Sequence, residues 1–457
     1  MKIPYGNGAL EAPEIAGLRV LLPNAAPPAR AEIETLRAAL EAPIDRPPLR
    51  ELARGRGDAV ILISCRTRRT GSALFIPLIL DALNEGGIAD GRILVLAATG
   101  THDNWRDADR PLLLGAAADR VRVVGHDAHT ADGLADIGTT SFGNRVRLNR
   151  RYLDAGLKIA TGRVTHHYFA GFTAGPKAVL PGVAAFDTIV TNHRRTLIVD
   201  GDTVRLHPHT NNGCLDKNPV HLEMIEAARM APPDFSLLTV LNTQNEVTAA
   251  FGGETLAAHA RAVAMVREAD APRLDAPADI VLLSSGGAPL DVNFVQAMKA
   301  LMNCEAAVRP GGAIVLAAEC AEGAAPWLME GVAMRDPAEF ARRAASGEMR
   351  HAHNAIRLDA LRRRAHVVMV TQLAPAIVDT LGFHRAGTIG EALALARRLA
   401  GGEGDAKTSG VGAAARSTAR TLALPYGNIT FIRDSEAAAR DTGGALAHAS
   451  TTEPHAI

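Results

Sequence analysis

AVILISCRTRRTGSALFIPLILDALNEGGIADGRILVLAATGTH, residues 59–102, decides the fold class. Residues 59–64 form an unbroken apolar run, the composition of a strand covered on both faces. The run stops at the polar turn CRTRRTG. Residues 74–83 then place apolar side chains at helical spacing and end at Gly86-Gly87. A second apolar run, 93–98, stops at TGTHDNW. Strand, polar loop, helix and strand again is the signature of a parallel α/β sheet. In such sheets ligands bind beyond the carboxyl ends of the strands, which is where Arg68 and His102 fall.

The pattern continues outward. Residues 121–124 read as a third strand ending in GHDAH, and 157–160 as a fourth. The fourth leads into RVTHHYFAGFTAGPKAVLPGVAAFDTIVTNH, residues 163–193. Helices are expected at 31–40, 220–230 and 254–268, and strands at 18–23 and 237–242. APRLDAPAD, from 271 to 279, has the proline and charge content of a linker. Beyond it a second α/β unit begins with a strand at 280–284, a Gly286-Gly287 turn and a helix at 292–303 that Asp291 is placed to cap. Strands follow at 313–318 and 367–371. Residues 410–419 read as a polar loop, and 422–432 as a last strand pair. The expected fold class is α/β: two domains, each a largely parallel sheet flanked by helices, with the active site in the cleft between them. The expected division is 1–271, then 278–416, then a strand segment from 417 that returns to the N-terminal domain and ends in a frayed tail to 457.

Composition narrows the function classes. The 457 residues balance 49 Lys and Arg against 49 Asp and Glu, so bulk charge points to no nucleic-acid partner. The four cysteines include no CxxC pair, which fits neither a zinc framework nor a disulfide scaffold. With no signal-peptide pattern and no apolar run long enough to span a bilayer, a cytoplasmic protein without membrane contact is expected.

Residues 163–193 gather the chemistry. They hold adjacent His166 and His167, a glycine-punctuated turn before Lys177, and His193. Imidazoles near their ordinary pKa can move protons, and an amine beyond glycines can meet a phosphate or a carbonyl carbon. Ala178 stands where a phosphate-binding loop would place a Mg²⁺-binding hydroxyl, so this is no Walker motif. His193 is a candidate metal ligand, but neither an HExxH nor a neighbouring HxH accompanies it. Gln296 and Lys299 share a helix face and suit a carboxylate and a hydroxyl. Arg66 and Arg68 suit an anion. Each of these also has an ordinary structural reading as a solvated or locally bonded side chain.

Their combination is more specific. SxxTR after one strand, TGTH after the next, HYFAGFxxGxKxxxPG, then NH, then GGxPxDxNxxQAxK resembles the nickel-pincer nucleotide-dependent lactate racemase family from about Ile61 to beyond Glu322. The resemblance implies a racemase or epimerase of a 2-hydroxy acid, lactate-like or larger, working by hydride transfer. His102 and His167 would be the two acid/base histidines. Lys177 would carry the Ni(II)-pyridinium-3,5-bisthiocarboxylic acid mononucleotide covalently, and His193 would bind its nickel. Cys65, Arg66, Thr67 and Arg68 would line the nucleotide and substrate site, and Arg68, Gln296 and Lys299 would hold the substrate. Cofactor-synthesis proteins are implied as partners. The chain departs from the family pattern at Cys65, where Asp is usual. It also has Thr173-Ala174-Gly175 for Ser-Gly-Gly, and His166 for a common Pro. Two other readings compete: a metal-dependent hydrolase built on the histidines, and a non-catalytic nucleotide- or hydroxy-acid-binding homologue.

Overall fold

The computed structural model describes residues 1–23, 28–102, 105–201, 203–269, 272, 274–349, 351–401 and 419–433. The loop expected at 410–419, except its last residue, and the expected frayed tail from 434 lie outside the described residues. Two six-stranded sheets organise the rest.

The first sheet runs in the order Val247–Gly253, Phe235–Leu241, Lys158–Arg163, Ala59–Ile63, Ile93–Ala97, Arg122–Gly125. All pairings are parallel except that between the first two strands. Ala59–Ile63 is buried at every position, as its unbroken apolar run requires. From this strand the chain first builds to one side, through Ile93–Ala97 and Arg122–Gly125, then crosses back to Lys158–Arg163 on the other. The strand order therefore reverses at the carboxyl ends of Ala59–Ile63 and Lys158–Arg163. That reversal is where open α/β sheets form a ligand crevice.

The second sheet repeats the device. Its order is His384–Arg385, Ala365–Val370, Val308–Ala317, Ala278–Ser284, Thr421–Leu424, Arg19–Val20, all parallel. Here the reversal falls beside Ala278–Ser284, which leads through the Gly286-Gly287 turn into the helix Phe294–Cys304. The N-terminal hairpin of Lys2–Tyr5 and Gly8–Glu11 straps this turn: Gly6 accepts from the Ala288 N–H at 2.7 Å and donates to Asp291 at 2.8 Å. One buried apolar cluster joins the domains, running from Leu62 and Phe169 to Phe294 and Leu328.

Three expectations need correction. The helix after the glycine turn is capped by Asn293, whose side chain accepts from the Gln296 N–H, while the Asp291 carboxylate is taken by Gly6 and Glu319. Residues 422–432 give one strand, Thr421–Leu424, followed by a turn. That strand does not return to the N-terminal domain; its apolar side chains complete the second sheet between Ala278–Ser284 and Arg19–Val20. Only the residues after it reach the first domain, where Phe431 packs on His166 and Arg433 donates to the Arg267 carbonyl.

Candidate active site

The turn after Ala59–Ile63 is closed by the Arg68 N–H on the Cys65 carbonyl at 2.9 Å. From it the side chains fan into the cleft. Arg68 donates to Thr67 Oγ1 at 3.1 Å and, across the domain boundary, to Gln296 Oε1 at 3.0 Å. Lys299 Nζ donates to the same oxygen at 2.6 Å. Arg66 instead reaches Glu322 of the second domain at 2.8 Å, an ion pair at the cleft's rim. The Cys65 thiol lies 3.1 Å from Thr67 Oγ1 and 3.5 Å from His102 Nδ1. His102 is exposed on the loop after Ile93–Ala97.

His166 and His167 form one side of a short antiparallel hairpin against Gly171–Phe172. Successive strand side chains point to opposite faces, and the two rings diverge accordingly. His166 is buried between Phe172 and Phe431, with Nδ1 2.8 Å from Asn212 Oδ1. His167 faces the cleft, stacked on Tyr168 and edge-on to Phe169. Its Nδ1 accepts from the Ala170 N–H at 3.3 Å, so the neutral ring bears its proton on Nε2. Burial, then the charges of Lys177, Lys299, Arg68 and His193, hold His167 well below the ordinary imidazole range.

Lys177 projects from the turn Gly175–Ala178, with Nζ over the Phe169 ring at 5.5 Å from its centroid. Burial and the Arg68 guanidinium bring its amine down to about 7. An amine there is substantially neutral at physiological pH and therefore nucleophilic. Lys299 is held well below its usual range by burial and by Arg68 and Lys177. No carboxylate is among the charges acting on His167, Lys177 or Lys299 among the described residues. Arg68 and these basic groups thus have no carboxylate to answer them, which suits an anionic ligand.

His193 lies near the end of the helix Phe186–Arg194. That helix is fixed by Glu223, fully buried, which accepts from Arg195 at 2.7 and 2.8 Å and from Asn192 at 2.8 Å. The buried Nδ1 of His193 has no hydrogen bond of ordinary geometry, although the Ile189 carbonyl one turn earlier works against its lowered pKa. The sequence reading missed what faces it. His351 and His353, an HxH pair at the start of Ala352–Arg364, bring their rings against His193 and Phe169, with centroids 5.5 and 4.9 Å apart respectively. Trp327 backs His351 at 4.9 Å. The space between His193, Met349, His351 and His353 is about 10 Å³. The pairing of Tyr168 with Asn354 at 2.9 Å and of Arg357 with the Thr210 carbonyl at 2.5 Å docks the same helix onto the first domain. No group of three or more potential metal donors from His, Cys, Asp and Glu occurs among the described residues.

The sites named from sequence thus converge, apart from Arg66, which is turned to the rim. Comparison with known proteins places the chain in a family. Family models described as the lactate racemase N-terminal and C-terminal domains match residues 5–204 and 274–412. The chain belongs to the lactate racemase family. It is 33% identical over 328 residues to the lactate racemase of Thermoanaerobacterium thermosaccharolyticum, covering 71% of this chain and 75% of that protein. The family member from Lactiplantibacillus plantarum, also a lactate racemase, is 33% identical over 297 residues, covering 64% and 67%. The apoprotein structure of the Thermoanaerobacterium enzyme superposes with a TM-score of 0.79 at 28% identity, over 95% of this chain and 99% of that one. A Thermotoga maritima protein at 14% identity, TM-score 0.63, covering 90% of this chain and 99% of that one, shares the fold. Family membership makes the chain a racemase, an isomerase. No helix among the described residues is long and apolar enough to cross a membrane.

Proposed function

We propose that the chain racemises or epimerises a 2-hydroxy acid, lactate-like or larger, with a nickel-pincer nucleotide tethered to Lys177. One observation supports this above the others: a lysine amine brought down to about 7 sits among His167, His193 and Lys299, beside Arg68, in a cleft whose basic groups have no carboxylate partner among the described residues. The residues fit the group. Lys177 supplies a neutral nucleophile for the tether, His193 a buried imidazole with an unsatisfied Nδ1, and Arg68 with the Cys65–Thr67 turn an anion-binding rim. When bound, the nucleotide supplies a centre that takes up the Cα hydride and returns it to either face.

The chain's own residues do the rest. Arg68 and Lys299, already sharing Gln296 Oε1, hold the substrate carboxylate so that the planar 2-keto acid turns without leaving. His102 and His167 take and return the hydroxyl proton for the two enantiomers. His167 is kept neutral and so ready to accept, but it does so only once its ring has turned from the Ala170 N–H. A hydrolase built on a three-ligand metal site lacks its donor set among the described residues. We further propose a cytoplasmic protein that depends on cofactor-synthesis proteins.

The test is to co-express the chain with those synthesis proteins, then measure nickel content and the mass of the Lys177 peptide. Single enantiomers of a 2-hydroxy-acid panel are then incubated in D₂O and followed by chiral chromatography. Racemisation without deuterium at Cα is expected. Extensive Cα exchange, or activity from protein free of nickel and adduct, sinks the proposal.

A further inference from the structure

Behind the Lys177 turn lie two histidines that the proposed chemistry does not use. His259 comes from the helix Thr255–Ala269 and His221 from Pro219–Met230. Their rings are stacked with centroids 5.9 Å apart and an interplanar angle of 28°, and each residue is 4% exposed. His259 Nε2 lies 3.0 Å from the Thr173 carbonyl, which can only accept, so this nitrogen bears the proton and donates.

The turn they face is strained. Ala174 and Gly175 are both left-handed, with φ of 61° and 57°. Ala174, with ψ −161°, holds a positive-φ conformation populated almost only by glycine, at a cost of roughly 1–3 kcal/mol. At Gly175 the backbone presses so closely on His259 that a Cβ would stand 2.6 Å from its ring. Thr173 is held on its other side by its own hydroxyl, which donates to the Arg163 carbonyl at 2.7 Å. Lys177 follows directly, its N–H on the Ala174 carbonyl at 3.2 Å. The second helix braces the lysine's other neighbour: Asn218, which caps it, donates from Nδ2 to the Phe169 carbonyl at 2.8 Å, below the ring over which Nζ lies.

We propose that His259, backed by His221, is a positioning residue for the cofactor-bearing lysine. Its Nε2–H ties down the Thr173 carbonyl and its ring fills the space at Gly175, and together these fix the left-handed turn that aims Lys177 into the cleft. The inference deepens the reading of Lys177 as the tether and takes its significance from it. The pair suits a structural donor better than a proton carrier, because burial holds His221 at about 3 and His259 at about 4. Of the groups around the turn, Arg68 also acts on the Lys177 amine, and His167, His193 and Lys299 face it across the cleft.

The turn's geometry is read through the lysine. Apoprotein is labelled with acetic anhydride at a series of pH values, and the Lys177 peptide is followed by mass spectrometry against a free amine standard. In the unsubstituted chain the Lys177 midpoint is expected near 7. His259→Gln keeps a donor within reach of Thr173 and should keep the midpoint. His259→Phe and His259→Leu lack the donor, so the lysine should become solvated and its midpoint rise by one unit or more, about a fivefold loss of neutral amine at pH 7 or greater. Unchanged midpoints in the folded Phe or Leu chains overturn the inference. If neither folds, the Gln chain decides: a midpoint displaced in that folded chain overturns the inference too. The tether reading fails separately, if the unsubstituted chain co-expressed with cofactor-synthesis proteins gains no mass on Lys177.

Discussion

Arg68 and Gln296 meet across the domain boundary, Nη1 donating to Oε1 at 3.0 Å, and the same oxygen accepts from Lys299 at 2.6 Å. One amide oxygen from the second domain therefore holds the guanidinium and the amine together before any substrate arrives. Gln296→Ala removes that acceptor and lets the two groups part. The Michaelis constant should rise roughly 10- to 100-fold, the equivalent of a charge-assisted hydrogen bond, with a smaller fall in kcat. Steady-state kinetics of the loaded enzyme checks this. An unchanged Michaelis constant with a collapsed kcat contradicts the carboxylate-holding role.

Cys65→Asp places a carboxylate where a thiol now lies 3.5 Å from His102 Nδ1. A negative charge beside His102 and Lys299 favours their protonated forms. The acid limb of the kcat/KM profile should therefore move to higher pH, and Lys299 should label more slowly at pH 8. Chemical-shift titration of the His102 ring gives the direct measurement. A profile identical to that of the unsubstituted enzyme shows the Cys65 contact to be incidental.

Glu223 is fully buried and satisfied by Arg195, Asn192 and Thr140. Glu223→Ala leaves the buried Asn192 and Thr140 and the half-buried Arg195 without their shared acceptor, a cost of about 1–3 kcal/mol. Thermal denaturation should show a fall of several degrees. Because the helix with His193 loses its anchor, retained nickel should drop even in the protein that stays folded.

Acid should destabilise the protein early. Burial takes His166 and His221 to about 3 and His259 to about 4, against an ordinary 6.5. Between those values the unfolded chain binds protons that the folded chain refuses, so stability rises with pH there and is whole above 6.5. Each imidazole contributes up to about 1.4 kcal/mol per pH unit within the window. Urea titrations from pH 7.5 to 5 measure the slope, which His166→Phe should lessen. A flat dependence would show these rings to be charged in the native state.

The sheets were readable because strands covered on both faces must be continuous apolar runs, as Ala59–Ile63 and the stretch from Ile280 to Leu283 are. The loops at their carboxyl ends followed from topology, so Arg68, His102 and His167 could be placed from the sequence. The helix Phe186–Arg194 escaped notice because Thr188, Ile189, Val190 and Thr191 are β-branched and favour strands. Only packing against Glu223 and its neighbours makes that stretch helical. His351 and His353 gave a signal, an HxH, but nothing local says that it meets His193, since the meeting depends on how two domains dock. The destination of Thr421–Leu424 was likewise hidden, because an apolar tetrapeptide fits either sheet and tertiary pairing alone chooses.

Arg19–Val20 and Thr421–Leu424 lie side by side in the second sheet, although almost the whole chain separates them in sequence. The second domain is thus discontinuous, and the first is inserted into it, tethered by one crossing on the way out and another on the way back. Two tethers permit rotation about the line joining them and resist a free swing, which constrains how the cleft opens for nucleotide and substrate. The same weave bears on dissection: a fragment cut at residues 274–412 lacks both strands, leaving the largely apolar, buried Ala278–Ser284 as a bare sheet edge. Such an edge invites association with other chains, so the two halves are best studied by substitution within the whole polypeptide.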